Sequence, residues 1–233
     1  MNKVSPGFVF GIVASIILGF GIFAGIVFAM RANTGLGYET DVLQATKTGP
    51  GTAELDLGTY PDSQLCHASD GNPQITWVSY CPKTSFQVPP NSLITVFIKQ
   101  YDSASGLYNN FYEDVQGTVG NTATYNGKTM SRIDQADIAH TFTLQSQPFE
   151  ANPLYVSVPL LGVADDAPSN TTVGGIQYPT PNIIEFQFRT GPSGTYVWHC
   201  YVPCGNDRES PYGFTGPMST TGFMAGTLTV ASY

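Results

Sequence analysis

The chain has 233 residues, 11% of them charged, with a formal net charge of −8. About 25% charged residues is usual, so Thr, Ser, Asn, Gln and Tyr must supply most of the polar surface. The acidic balance and the nine Lys and Arg residues exclude nucleic acid as a natural partner, since phosphate recognition needs basic patches.

The first element is an apolar run, Phe8 to Met30, of 23 residues without a charge. As a helix rising 1.5 Å per residue it crosses a hydrocarbon core of roughly 30 Å. The core of a secretory signal is shorter, about 7–15 residues, and a small-x-small cleavage site follows it. Here the run ends Phe28-Ala29-Met30-Arg31, so residues 1–31 read as a retained, single-pass transmembrane anchor. Lys3 and Arg31 flank its two ends and nearly balance the positive-inside rule. Four cysteines suit an oxidising compartment, and Asn170-Thr171-Thr172 is a glycosylation acceptor sequence that suits the same side. The expectation is a cell-membrane protein with its C-terminal domain outside the cytoplasm. Small residues recur every fourth position in the anchor, at Gly7, Gly11, Ser15 and Gly19 and again at Gly21, Gly25 and Ala29. Such ladders let a second helix approach closely, which points to multi-span membrane subunits as partners.

Residues 32–85 read as a connector and N-terminal extension, polar and rich in Gly and Thr at first. Cys66 and Cys81 flank Gly71 and Pro73 and are expected to close a short loop by a disulfide. From Phe86 the pattern is strand-like. Leu93–Gln100 is β-branched and apolar, His140–Leu144 alternates, and Leu154–Val158 follows. Ile184, Phe186 and Phe188 alternate with Glu185, Gln187 and Arg189. Thr195–Cys200 and Met224–Val230 complete the series, and Gly, Pro, Asn and Asp clusters separate the runs. No long stretch after residue 31 has a helical period, so residues 86–233 predict an all-β sandwich.

Three side chains then stand out. His140 opens one strand, Cys200 ends another, and Met224 begins the last. The ends of such strands gather at one pole of a Greek-key sandwich. Imidazole, thiolate and thioether form a soft ligand set that favours copper over calcium or magnesium. Hydrolytic chemistry is not indicated, because the chain has no Gly-x-Ser-x-Gly elbow and no His-Glu-x-x-His helix. His199 and Cys200 are strand neighbours and point to opposite faces, which rules out a Cys–His nucleophile there.

The segments Pro89–Val96, "AHTFTL" from Ala139, "GTYVWHCYVPCG" from Gly194 and "GFMAGTLTV" from Gly222 resemble the cupredoxins, over roughly Phe86 to Val230. With a single anchor ahead of it, this arrangement is similar to subunit II of the haem–copper oxidases. The resemblance implies a Greek-key cupredoxin-like sandwich and a copper electron-transfer role in a respiratory complex, with a redox protein or quinol-linked donor as a further partner. By that resemblance His140, Cys200, Cys204 and Met224 match copper ligands, and Gly205 matches the glycine after the second cysteine. The family's second histidine falls near Arg208, and no histidine follows His199. His67 and His199 remain as substitutes, and Met218 rivals Met224 in the same loop. The alternative reading is a copper-free cupredoxin-fold structural or docking subunit, with Cys200–Cys204 and Cys66–Cys81 both as disulfides. In either case the protein is an electron-transfer or accessory subunit, with no catalytic residues of its own.

Overall fold

The computed structural model describes residues 18–25, 41–67, 76–106, 109–202 and 216–233. The chain divides into two compact units, Met1–Tyr38 and Glu39–Tyr233. In the first unit residues 18–25 are helical (α1) and expose Leu18, Phe20, Ile22 and Phe23. No helix among the described residues is long and apolar enough to cross a membrane. The remainder of the Phe8–Met30 run lies outside them.

The second unit is built on two large sheets. One has six strands in the order β1 (Leu43–Gln44), β5 (Ser85–Val88), β15 (Ala225–Val230), β14 (Gly194–His199), β9 (Ile138–Ser146) and β10 (Tyr155–Leu161). The other runs β2 (Thr46–Gly49), β3 (Thr52–Tyr60), β6 (Leu93–Gln100), β13 (Asn182–Arg189), β7 (Ala123–Tyr125) and β8 (Lys128–Met130), with β4 (Ser79–Cys81) paired to β3. A separate hairpin joins β11 (Thr171–Val173) to β12 (Ile176–Tyr178). Pairing is mixed: β5 runs parallel to β15 and β3 parallel to β6, whereas β9, β10, β14 and β15 are antiparallel in sequence.

Period-2 alternation explains the core. Ile94, Val96 and Ile98 of β6 and Ile184, Phe186 and Phe188 of β13 are all buried, as alternation on a half-buried sheet demands. They meet Phe86, Phe142, Leu144, Trp198 and Leu228 of the other sheet in one cluster, and the rings of Phe142 and Phe186 lie 5.5 Å apart. Two packed sheets around such a core form a β sandwich. Trp198 is the centre of its aromatic part. Its ring stacks with those of Phe86 and Phe142, at 5.4 Å from each, and its Nε1–H donates to the Thr84 carbonyl at 2.7 Å.

Within the segment 32–85, read as a connector and N-terminal extension, the described residues include β1 to β4, which pair into the two sheets. Its β3 lies between β2 and β6, paired along its length with β6 from Thr52↔Leu93 to Thr59↔Gln100. Ala53, Leu55 and Leu57 point into the core. The alternation that drives this is present in "TAELDLGTY", where Glu54 and Asp56 occupy the outward positions, but Gly and Thr on both sides mask it. The Cys66–Cys81 disulfide forms, with Cα atoms 5.9 Å apart. It ties the short helix α2 (Gln64–His67) to β4 and packs beside a small second core of Tyr60, Tyr101 and Tyr178.

Candidate metal centre

His140 is the third residue of β9, in a run where every side chain from Ile138 to Leu144 is buried. Cys200 follows the last residue of β14, whose pairing with β9 ends at His199↔Thr143. The next step along both strands brings Cys200 against the start of β9. The Cys200 sulfur lies 3.8 Å from His140 Nδ1 and accepts the Thr141 amide at 3.4 Å. Both residues are almost wholly buried, His140 at 2% exposure and Cys200 at 0%. Cys200 stands as a thiol, with the Val202 carbonyl 3.5 Å from its sulfur.

The other imidazole nitrogen of His140 is held by a residue that the sequence does not mark. Asp102, just beyond the end of β6, places Oδ2 at 2.9 Å from His140 Nε2, while its Oδ1 accepts the Ser103 amide at 2.9 Å. Burial opposes the imidazolium form of His140. The hydrogen bonds to Asp102 and Cys200 outweigh it, so the pKa is pushed up to about 9. An Nε2–H fixed on a carboxylate leaves Nδ1 facing the sulfur, the arrangement in which a ligating histidine is oriented by its outer hydrogen bond.

Met224 precedes β15 and is fully buried in the main core. Its backbone joins it to the same pole, since the Cys200 amide donates to the Met224 carbonyl at 2.9 Å and the Met224 amide donates to Pro217 O at 3.1 Å. Met218, in the turn Gly216–Ser219, is also buried in that core. Two residues beyond Met224, β15 passes so close to the chain that a Cβ on Gly226 would stand 1.9 Å from the Thr84 carbonyl and 2.8 Å from Trp198 Nε1.

The structure therefore brings His140, Cys200 and the Met224 backbone to one pole. Cys204, Gly205 and Arg208 lie outside the described residues. His199 turns to the opposite face, half-buried, with its ring centroid 4.1 Å from that of Tyr201. Burial holds its imidazole below the usual range, only partly offset by its interactions with Cys200. His67 is buried with Nε2 2.6 Å from the Gly222 carbonyl. Among the described residues no three His, Cys, Asp or Glu side chains converge as a metal site. What they supply is one nitrogen and one sulfur donor face to face, with the Met224 segment alongside. That donor chemistry fits a soft metal such as copper and does not fit calcium or magnesium.

No protein-family model matches the chain, and no curated protein matches it. Solved structures to which it is similar include reduced rusticyanin, at TM-score 0.39 and 10% identity over 83% of each chain. Another is rusticyanin from Thiobacillus ferrooxidans, at TM-score 0.35 and 13% identity over 80% of this chain and 86% of that one. Auracyanin B gives TM-score 0.32 and 14% identity over 81% of this chain and 94% of that one. These neighbours are cupredoxins, and rusticyanin is a copper protein.

Proposed function

We propose that the chain is a membrane-anchored copper electron-transfer protein of the cupredoxin type, similar in plan to oxidase subunit II and working beside multi-span membrane subunits. One observation carries the proposal: His140 Nδ1 and Cys200 Sγ face each other at 3.8 Å inside a buried pole. His140 and Cys200 would hold the metal, with Met224 and Cys204 as further ligands. Bound copper supplies a one-electron couple.

The chain's own residues do the rest. Asp102 fixes the imidazole plane, and the Thr141 amide stabilises negative charge on the sulfur. Burial excludes water, and the strands that carry the donors hold them in place. The uncharged run Phe8–Met30, with the exposed apolar side chains of α1, supports the membrane placement.

A second reading has its own observation. No histidine follows His199, and among the described residues no third nitrogen or carboxylate donor joins the pair. This favours a copper-free structural or docking subunit on the same sandwich. Purified full-length protein, reconstituted with Cu(II) and assayed by elemental analysis and visible absorption, separates the two. Stoichiometric copper with a thiolate charge-transfer band supports the first. Colourless, metal-free protein after reconstitution removes it and leaves the second.

A further inference from the structure

The three residues ahead of β15, Gly222 to Met224, are held by a distant part of the chain. The Gly222 amide donates to Thr84 Oγ1 at 2.8 Å. The Tyr80 amide donates to the Phe223 carbonyl at 2.9 Å. His67 Nε2 sits 2.6 Å from the Gly222 carbonyl, and because a carbonyl only accepts, the imidazole proton is on Nε2. The Phe223 ring is clamped between His67, at 4.6 Å, and Trp77, at 4.9 Å. Gly222 has φ +99°, a conformation that a side chain would oppose. The loop is thus held by His67, Trp77, Tyr80 and Thr84.

The backbone beside His67 is anchored covalently. His67 is the last residue of α2, its amide donates to Ser63 O at 2.8 Å, and its neighbour Cys66 is bonded to Cys81. Cys81 pairs with Gly58 of β3, so the disulfide ties α2 to β4 at the edge of a sheet.

We propose that His67 is a positioning residue for Met224, locked in place by the Cys66–Cys81 disulfide. This rests on the reading of Met224 as a metal ligand. The order of action is disulfide, α2, imidazole, Gly222 carbonyl, and then the thioether two residues on. Two-electron reduction by an external dithiol converts the bridge to two thiols and the dithiol to its own disulfide. His67 is then held by non-covalent contacts alone, and the loop loosens. Because a weak thioether ligand tunes the potential of a copper–thiolate site, the same change would shift the potential of the copper-loaded protein.

The test uses the full chain in detergent micelles, with methyl-labelled methionine, in metal-free and copper-loaded forms. In the metal-free form His67→Ala moves the Met224 methyl resonance and speeds exchange of the Met224 amide by about tenfold or more. His67→Gln, which keeps a side-chain N–H, restores most of the native behaviour. Dithiol reduction of the unmutated protein moves the same resonance in the same direction. In the loaded form His67→Ala shifts the charge-transfer band and the potential. If the Met224 methyl stays in place and its amide exchange stays within about twofold after reduction and in a folded His67 variant, the proposal is overturned. Should His67→Ala not fold, reduction of the unmutated chain and His67→Gln decide the matter. Should the protein take no copper, the functional reading falls while the metal-free measurements still judge His67.

Discussion

His140 and Cys200, sixty positions apart in the chain, meet with Nδ1 3.8 Å from Sγ, while Asp102 holds the far side of the imidazole at 2.9 Å. A carboxylate stands behind the nitrogen, and the Thr141 backbone N–H donates to the sulfur.

Asp102 is therefore expected to matter for metal affinity although it does not face the sulfur. Asp102→Ala leaves Nε2 without its carboxylate, and copper affinity should fall by about 10–100-fold. Asp102→Asn, which can still accept from Nε2–H, should lose less. Competition titration against a chelator reads the affinity, with thermal melts of the metal-free variants as the folding control. Equal affinities for Asp102→Ala and the unmutated protein would refute the role.

The pH dependence of the metal-free protein follows from the same contact. Burial works against charging His140, but Asp102 and Cys200 raise its pKa from 6.5 to about 9 in the folded state. A group whose folded pKa is raised contributes stability that is fully present below its unfolded value and lost as pH rises through the folded one. Stability against denaturant should thus decline between pH 6.5 and about 9, and His140→Gln should flatten that limb. A midpoint that is unchanged across the interval in the unmutated protein would contradict the assignment. Copper loading should show the opposite trend, improving as the imidazolium gives up its proton.

Leu55 tests whether the segment before residue 85 is structural. A connector would tolerate Leu55→Ala, whereas a core position at 1% exposure should lose about 2–5 kcal/mol. Urea unfolding of the variant is the measurement, and a loss indistinguishable from zero would return the segment to a peripheral role.

Gly226 should be equally intolerant, for a different reason. A methyl group there meets the Thr84 carbonyl at 1.9 Å, and that carbonyl already receives Trp198 Nε1–H. Gly226→Ala should cost about 1–3 kcal/mol through forced displacement. It should also change the near-ultraviolet circular dichroism of Trp198. A variant with native stability and an unaltered tryptophan signal would show that β15 has room to move.

The strands that carry the site were legible in the sequence because period-2 alternation is a local property. Leu93–Gln100 is reproduced residue for residue as β6, and the inward set Ile184, Phe186 and Phe188 is the one that alternation assigns to the core. β3 was the exception, since its short Ala53-Leu55-Leu57 series is diluted by flanking Gly and Thr, and only its place beside β6 makes it a core strand. The meeting of His140 with Cys200 was anticipated from their placement at strand ends of a Greek-key sandwich and from a resemblance to the cupredoxins.

What the sequence by itself determined is the run of half-buried strands and the chemical kind of the donors, because both follow from residue type and immediate neighbours. What only the tertiary structure decided is who stands behind those donors. Asp102 reaches His140 across 38 positions, and His67 reaches Gly222 across 155. Such partners are chosen by how the loops between strands close over the finished sandwich, and no local pattern in the chain encodes that closure.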